Sequence, residues 1–228
     1  MTLMALAVLL DLEGTLVQTP WEDQRHVQEF RQQTRKKLIE LGIPASLLAG
    51  IEQSTLMRNT AADFVESGFG KTDARKFHLE MEKFLKLYEL DAARRSTLYP
   101  ETASTLERLK SLGVGIGLVT NTSREAVDIV FRRHKIGNYF DVAVTRDDVK
   151  KLKPDPEGLR LAVRKLGARD FIMIGDLPLD ISASKEAKGT TVFVQRDQDS
   201  SLNVEADYHV RSLADVPTIV QRYLGNRK

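Results

Sequence analysis

Apolar residues recur with two different spacings along this chain, and each spacing predicts a different kind of structure. The run from Ala5 to Leu10 is continuously apolar, which indicates a strand buried on both faces. Between Asp23 and Asp91 no segment has the pattern of a strand, and apolar residues recur every three or four positions, as along one face of a helix. The first predicted helix ends near Gly42, and its apolar face is formed by Val27, Phe30, Thr34, Leu38 and Leu41.

Two more helices are predicted in the same block of the chain. A weaker apolar face runs from Leu48 to Val65, and a clear one runs from Phe77 to Tyr88. The latter follows Thr72, a residue type that favours the N-terminal cap of a helix. We therefore predict a helical bundle of about 70 residues, which is small for a domain without support from its neighbour.

From Pro100 onward, helical and strand patterns alternate. This alternation is typical of a parallel sheet joined by right-handed crossovers, and the strand at 5–10 has to join that sheet to pair its backbone groups. We predict an α/β protein in which residues 1–18 and 98–228 form a Rossmann-like core and residues 19–97 form an inserted all-α domain. The predicted strands are 114–120, 141–145, 171–174 and 191–194, and the predicted helices are 102–112, 123–134, 156–167 and 179–188.

Composition and charge narrow the class of protein. The chain has 228 residues, of which 42% are hydrophobic and 29% are charged, as in an ordinary soluble globular protein. Its 34 basic and 32 acidic residues give a net charge of +2 and are mixed along the chain, so nothing favours a nucleic acid as a partner. The absence of cysteine excludes disulfides, thiolate metal sites and a cysteine nucleophile.

The apolar start of the chain does not predict a targeting signal. The segment from Leu3 to Leu10 has neither the basic flank nor the cleavage site of a signal peptide. No stretch reaches the roughly 20 apolar residues that a membrane-spanning helix needs. We therefore expect a cytoplasmic protein with no membrane partner.

Polar residues follow the predicted strands at the points where they end. In a parallel sheet these ends share one edge, which is where ligands bind in open α/β sheets. Carboxylates, a lysine and hydroxyl groups gathered there are suited to hold a phosphate and a divalent cation, and oxygen ligands favour magnesium. The residues concerned are Asp11, Glu13, Thr120, Asn121, Lys153, Asp176 and Asp180.

This set of residues resembles the motifs of the haloacid dehalogenase superfamily of phosphohydrolases, in particular the phosphoglycolate phosphatase-like members with a helical cap inserted after the first motif. The segment from Asp11 to Leu16 resembles the first motif, Thr120 the second, Lys153 the third, and Asp176 with Asp180 the fourth. All four occur in order at predicted element boundaries, and they span the chain. The resemblance therefore implies a haloacid dehalogenase-like core with a cap domain.

The resemblance also implies a role for each acid. Asp11 is implied to be the nucleophile, which attacks phosphorus and becomes an aspartyl-phosphate. A magnesium ion is implied between the carboxylates of Asp11 and Asp176 and the main-chain carbonyl of Glu13. Asp180 is implied to act through a water on the metal or by orienting Lys153, although an acid in the first helical turn can also simply complement the helix dipole.

The substrate phosphate is implied to contact three further residues. Lys153 would bridge Asp11 and the phosphoryl group, and the proline after it favours this lysine over Lys150 and Lys151. The hydroxyl of Thr120 and the amide of Asn121 would bind phosphoryl oxygens. Threonine and asparagine are also common at strand exits, which is the alternative explanation for this pair.

Glu13 departs from the pattern of most phosphatases of this superfamily, which carry aspartate two residues after the nucleophile. That acid protonates the leaving alcohol and later activates water. Glutamate offers the same chemistry with one more methylene, and the enolase-phosphatases of the superfamily resemble this chain in carrying it. The dehalogenase branch needs neither a metal nor an acid at this position, so Glu13 argues against that branch.

Three residues of the helical insertion are candidates for substrate selection, namely Trp21, Arg58 and Asn59. Trp21 closely follows the first motif, and the segment 58–60 interrupts a helical pattern with polar groups. A basic cap residue would suit a carboxylated phosphate ester such as phosphoglycolate. A single arginine on a helix is more often only solvated.

These observations predict a magnesium-dependent phosphatase of a small phosphorylated metabolite, with Asp11 as nucleophile and Glu13 as acid and base. Two alternatives stay open. A phosphomutase would use the same aspartyl-phosphate but return the phosphoryl group to a sugar. A non-catalytic protein would bind a phosphate ligand, with Glu13 in place of a working acid. The sequence does not define an oligomeric state.

Overall fold

The computed structural model describes residues 4–20, 24–196 and 203–225. Trp21 lies outside these residues. The chain separates into two compact units, which we call the sheet unit (Met1–Thr19 and Ser96–Lys228) and the helical unit (Pro20–Arg95). Within the described ranges, no helix is both long and apolar enough to cross a membrane.

The sheet unit is built on a six-stranded sheet whose neighbouring strands all run parallel. This confirms the predicted α/β class and the Rossmann-like parallel sheet. The strands are β1 Met4–Leu10, β2 Val17–Gln18, β3 Thr97–Leu98, β4 Gly115–Val119, β5 Val142–Val144, β6 Ala168–Gly175, β7 Thr190–Val194 and β8 Tyr208–Val210. Their order across the sheet is β5–β4–β1–β6–β7–β8, and β2 and β3 form a separate antiparallel ribbon.

Helices belong to both units. The helical unit contains α1 Gln24–Glu40, α2 Ser54–Gly68 and α3 Lys71–Arg95. The sheet unit contains α4 Thr102–Ser111, α5 Arg124–His134, α6 Glu157–Leu166, α7 Pro178–Glu186 and α8 Val216–Gly225. Helices α4 to α7 alternate with strands β4 to β7, so the chain repeatedly crosses back to add a parallel strand.

The first strand is buried because it lies inside the sheet, between β4 and β6. Its residues from Leu6 to Leu10 are at most 2% exposed, which explains the continuous apolar run in the sequence. Helix α6 places an apolar stripe against it, with positions three or four residues apart on one face. This cluster includes Ala7, Leu9, Leu159, Ala162, Leu166 and Met173.

The ribbon of β2 and β3 joins the segment that leaves the sheet unit to the segment that returns to it. Val17 lies opposite Leu98 in this ribbon. Leu16 anchors the returning segment, because its carbonyl accepts a hydrogen bond from the amide of Tyr99 at 3.3 Å and another from the hydroxyl of Thr102 at 2.8 Å. The loop after β1 is therefore tied to the start of α4.

The helical unit has its own apolar core, formed by α1, α2, α3 and the short 3-10 helix Ala45–Leu48. The Arg35 guanidinium fastens α1 to the connection between the first two helices, because it donates hydrogen bonds to the carbonyls of Leu48 and Ile51, each at 2.6 Å. The buried core residues are Leu38, Ile43, Leu48, Met57, Ala61, Val65, Phe77, Met81 and Leu85.

The structure corrects one sequence interpretation in the helical unit, the cap at Thr72, and it places the polar segment 58–60. Arg58, Asn59 and Thr60 lie inside α2 and each is half-buried. Polar residues on a helix face change its amphipathicity without ending it. Thr72 does not cap α3, since that helix already includes Lys71.

Candidate active site

Asp11 extends the central strand by one residue at its carboxyl end. Its amide donates a hydrogen bond to the carbonyl of Ile174 at 3.0 Å, so the backbone stays paired with β6 beyond the last residue of β1. The residue is only 6% exposed. Because the strand is held on both sides, the Asp11 carboxylate has a fixed place at the edge of the sheet.

The loop after Asp11 is a tight turn that brings Gly14 against Asp176. The Gly14 amide donates to the carbonyl of Val17 at 2.9 Å, and Gly14 has a φ of +74°. A Cβ at this position would overlap the Asp176 carboxylate, so glycine is required both for the turn and for the close approach. The next residue contributes directly, because the Thr15 hydroxyl donates to Asp176 Oδ1 at 2.7 Å.

Lys153 connects two of the acids at the centre of this edge. Its ammonium donates to Asp11 Oδ1 at 2.7 Å and to the carbonyl of Val119 at 2.9 Å, and it forms an ion pair with Asp180 Oδ1 at 2.6 Å. The residue is only 3% exposed, whereas Lys150 and Lys151 are exposed. The structure thus places Lys153, rather than either neighbouring lysine, beside Asp11.

Asn121 holds the backbone of Lys153 in place. The Lys153 amide donates to Asn121 Oδ1 at 3.0 Å, and Asn121 Nδ2 donates to the Lys153 carbonyl at 3.2 Å. The peptide bond between Lys153 and Pro154 is cis. The side chain of Asn121 therefore positions the lysine, and its main-chain amide stands next to Thr120.

Thr120 directly follows β4 and is buried. Its amide donates to the carbonyl of Val144 at 3.0 Å, which carries the pairing with β5 one residue past the strand. Its Oγ1 accepts a hydrogen bond from the amide of Thr122 at 3.2 Å. A hydroxyl that accepts from the backbone can still donate its hydrogen, for example to a phosphoryl oxygen.

Three carboxylates meet at this edge of the sheet. Oxygen atoms of Asp11, Asp176 and Asp180 all lie within 4.8 Å of one another, so this group could hold a metal ion. Asp180 also accepts a hydrogen bond from the amide of Leu177 at 3.1 Å, which fixes it at the start of α7. Its close approach depends on Gly175, where a Cβ would overlap the Asp180 side chain.

Crowding of like charges shifts the pKa values at this edge. Burial raises the pKa of Asp176 well above its ordinary value, and repulsion from Asp11 and Asp180 raises it further. Burial also raises the pKa of Asp180, which the Lys153 ammonium partly offsets, and the result is about 6. Burial opposes the charge on Lys153, but attraction to Asp11 and Asp180 outweighs it and leaves its pKa above the ordinary value.

Glu13 lies in the tight turn, two residues after Asp11. It is half-buried and forms an isolated parallel bridge with Val17.

Arg58 and Asn59 lie in the helical unit, where the Arg58 guanidinium donates to Asn59 Oδ1 at 3.4 Å. The structure therefore brings Asp11, Lys153 and the acids of the fourth motif together, and it describes Arg58 and Asn59 within a different compact unit.

Two residues at this edge carry contacts that sequence reasoning did not assign. Thr15 lies within the first motif, and its hydroxyl orients Asp176. Arg196 follows β7 and contacts the loop after β1, with its guanidinium 2.9 Å from the Thr15 carbonyl. The sequence pattern that could have indicated Arg196 is the one that indicated the other site residues, namely a charged side chain just beyond the carboxyl end of an apolar strand.

A parallel α/β sheet that carries this set of acids, lysine and hydroxyls at its strand ends defines the class of haloacid dehalogenase-like hydrolases. The sequence profile of that family matches residues 6–188, and the chain belongs to the family. The resemblance seen in the motifs is thereby confirmed.

Relatives in sequence and in structure agree with this family. The chain is 37% identical to the pyrophosphatase PpaX of Bacillus velezensis over 125 residues, which is 53% of this chain and 58% of that protein. It resembles the structure of a HAD phosphatase from Thermococcus onnurineus, with 26% identity, a TM-score of 0.58, and coverage of 94% of this chain and 97% of the other. A haloacid dehalogenase-like hydrolase from Bacteroides fragilis shares the fold, with 23% identity, a TM-score of 0.63, and coverage of 92% and 98%.

Proposed function

We propose that this protein is a magnesium-dependent phosphatase that hydrolyses a small phosphorylated metabolite through an aspartyl-phosphate on Asp11. The observation that carries the proposal is the buried contact of 2.7 Å between Asp11 and Lys153 beside two further carboxylates. An anionic nucleophile and an anionic phosphate repel each other, and a positive group held between them relieves that repulsion.

The acids at this edge have the donor chemistry of a magnesium site. Three ionised carboxylates carry more negative charge than Lys153 neutralises, and all their donors are oxygen atoms. Asp11, Asp176 and the main-chain carbonyl of Glu13 would hold the ion, with Asp180 beside them. Bound Mg²⁺ supplies positive charge that stabilises the phosphoryl oxygens and the nucleophile.

In the first half of the proposed reaction, a carboxylate oxygen of Asp11 attacks phosphorus and the bond from phosphorus to the leaving oxygen breaks. Glu13 gives its carboxyl proton to that leaving oxygen, which departs as an alcohol. During the transfer, three groups stabilise the charge on the phosphoryl oxygens. They are the Lys153 ammonium, the Thr120 hydroxyl and the main-chain amide of Asn121.

In the second half, Glu13 is a carboxylate and takes a proton from water. The water oxygen attacks phosphorus, the bond from phosphorus to the Asp11 oxygen breaks, and inorganic phosphate leaves. Asp11 is again a carboxylate and Glu13 again a carboxylic acid, so the cycle closes.

The helical unit is proposed to act as the cap that selects the substrate, with Arg58 and Asn59 as candidate specificity residues. An arginine in this role would favour a carboxylated phosphate ester such as phosphoglycolate. The name of the PpaX relative adds inorganic pyrophosphate to the substrates worth testing.

The proposal is tested by measuring phosphate release with Mg²⁺ from an aryl phosphate, phosphoglycolate, sugar phosphates and pyrophosphate. We expect Asp11→Asn to lose at least about a thousandfold in turnover, because the amide cannot replace the nucleophile. Asp215→Asn, which removes an exposed carboxylate, is the matched control and should keep wild-type turnover. Chelation of Mg²⁺ should abolish turnover reversibly.

Other outcomes would replace the proposal. An Asp11→Asn protein that still releases phosphate would contradict it, as would full turnover in the presence of a chelator. Conversion of a sugar phosphate into its isomer without phosphate release would identify a phosphomutase. Magnesium-dependent binding of phosphate analogues without any turnover would identify a non-catalytic binding protein.

A further inference from the structure

Arg196 reaches from the end of β7 to the loop that carries the first motif. Its Nη2 donates to the carbonyl of Thr15 at 2.9 Å, and its Nε donates to the carbonyl of Gly14 at 3.4 Å. The planar guanidinium thus donates hydrogen bonds to two consecutive carbonyl groups of the turn after Asp11. A fork of this kind fixes both the distance and the direction of its partners.

The same guanidinium is anchored on its other side. Its Nη1 donates to Glu101 Oε1 at 2.6 Å, and its central carbon lies 3.5 Å from the centre of the Tyr99 ring, which is a cation–π contact. Glu101 is itself held, because the amide of Leu213 donates to the same Oε1 at 3.3 Å. Arg196 is therefore positioned by residues outside the loop that it holds.

The loop that Arg196 contacts also orients Asp176, one of the three carboxylates that could hold a metal ion. The hydroxyl of Thr15 donates to Asp176, and Gly14 packs so closely against Asp176 that a Cβ would overlap the carboxylate. A shift of the two carbonyls that Arg196 holds would therefore move the contacts that orient Asp176. The carbonyl of Glu13 belongs to the same turn and would shift with them.

We propose that Arg196 is a positioning residue for magnesium, which acts by clamping the turn that orients Asp176 and carries Glu13. The inference rests on the proposed function, since it concerns the metal site of that reaction. Arg196 touches neither the phosphate nor the metal in this role. Its effect is on the affinity of the site for the metal, because misplaced oxygen ligands bind Mg²⁺ less tightly.

The test measures Mg²⁺ binding to the folded protein by titration calorimetry without substrate, well below the unfolding temperature. Arg196→Gln should weaken Mg²⁺ binding about tenfold, the usual size of such an effect. The Mg²⁺ concentration for half-maximal turnover should rise by the same factor. The Mg²⁺ affinity of Arg196→Lys should lie between those of the wild type and Arg196→Gln, because an ammonium keeps the charge but cannot reproduce the two-pronged hydrogen bonding of the guanidinium.

Two further variants keep the test decisive. Glu101→Gln leaves Arg196 present but removes its anionic anchor, so it should weaken Mg²⁺ binding in the same direction by about threefold. Arg169→Gln is the matched control, because Arg169 is exposed near the amino end of β6 and should bind Mg²⁺ as the wild type does.

The outcomes separate this inference from the proposed function. Unchanged Mg²⁺ affinity in both Arg196→Gln and Glu101→Gln, with turnover still dependent on Mg²⁺ and Asp11, would overturn the inference alone. Loss of stability in Arg196→Gln without loss of Mg²⁺ affinity would show a purely structural role and would also overturn it. A wild-type protein that binds no Mg²⁺ would overturn both.

Discussion

Gly14 is constrained by two separate physical demands. Its φ of +74° is unfavourable for any residue with a Cβ, and the Asp176 carboxylate occupies the place where that Cβ would lie. Gly113 meets only the first demand, since its φ is +69° and no atom beyond its chain neighbours lies within 4 Å of its Cβ position. Substitutions at Gly14 and at Gly113 therefore distinguish the effect of backbone strain from the effect of the contact with Asp176.

This difference gives a matched prediction. Gly113→Ala should lose about 1–2 kcal/mol in the free energy of unfolding, because it forces an L-residue into the left-handed region. Gly14→Ala should lose more, because its Cβ would also overlap Asp176. Only Gly14→Ala should also weaken Mg²⁺ binding, by roughly tenfold or more, because Asp176 must move. Urea unfolding and titration calorimetry measure the two effects. Equal Mg²⁺ affinities in the two variants would contradict this reading of the turn.

Glu13 can be tested apart from Asp11 by the choice of leaving group. When Asp11 attacks an aryl phosphate, the bond from phosphorus to the aryl oxygen breaks and a stable aryloxide leaves without needing a proton. Glu13→Gln should therefore still transfer the phosphoryl group to Asp11. Hydrolysis of the aspartyl-phosphate should then slow by about 10²–10⁴-fold, because no base activates the water. Mass spectrometry of the quenched protein should show the phosphorylated form accumulating. Glu13→Asp serves as the control that restores an acid, and a Glu13→Gln protein with wild-type phosphate release would disprove the role.

At the scale of elements, the sequence predicts the helices and strands that have a recognisable apolar pattern and misses those that lack one. The apolar runs and amphipathic stripes of β1, β4, β6 and β7 and their helices follow from period and burial alone. β8 is three residues long with two of them exposed, so it has no distinguishing pattern. Helix α8 follows that unrecognised strand and was not predicted either, and the two-residue strands β2 and β3 are defined only by their pairing.

The candidate site shows the same division. Asp11 and Asp176 directly follow strands, and Lys153 lies in the connection between β5 and α6, so the topology alone predicts that they meet at one edge of the sheet. The contact between Arg196 and Gly14 joins positions 182 residues apart and depends on the direction of one side chain. No local pattern encodes that direction, because it is set by Glu101 and Tyr99 in tertiary packing.

Asp141, which directly precedes the edge strand β5, offers a test of pH dependence at this scale. Asp141 accepts hydrogen bonds from the amide of Ile116 at 2.9 Å and from the Lys110 ammonium at 2.7 Å. Burial raises the pKa of Asp141, but these two partners outweigh it and the net pKa lies below the ordinary value. The stabilisation is therefore present above the unfolded pKa of about 3.9 and is lost as the pH falls through the lower folded pKa.

We expect Asp141→Asn to remove this part of the pH dependence. The free energy of unfolding of the wild type should fall relative to that of the variant by roughly 0.5 kcal/mol between pH 6 and pH 3, a small value because the pair is partly exposed. Urea unfolding at the two pH values measures it. Asp215→Asn should follow the wild type. A parallel pH dependence in Asp141→Asn would show that these contacts add nothing.

At the scale of the whole molecule, the three acids at the sheet edge carry more negative charge than Lys153 neutralises, so a bound cation should stabilise the protein further. Burial, together with repulsion from Asp11 and Asp180, raises the pKa of Asp176, so the folded protein disfavours the ionised form of this acid. All three belong to the sheet unit. Magnesium should therefore stabilise that unit in particular, since a ligand that binds only the folded state shifts the unfolding equilibrium.

Asp176→Asn separates two effects of the acids on stability: the repulsion among the carboxylates and the stabilisation by bound Mg²⁺. At a Mg²⁺ concentration a hundred times its Kd, the wild type should gain about 2.7 kcal/mol, or about 5–10 °C in Tm. Asp176→Asn should lose that gain and yet have a higher Tm than the wild type in a chelator, because the repulsion is relieved. Calorimetry measures Tm, and hydrogen exchange should show the added protection in the sheet unit and not in the helical unit. A Mg²⁺-dependent rise of Tm in Asp176→Asn as large as in the wild type would mean that the metal binds elsewhere.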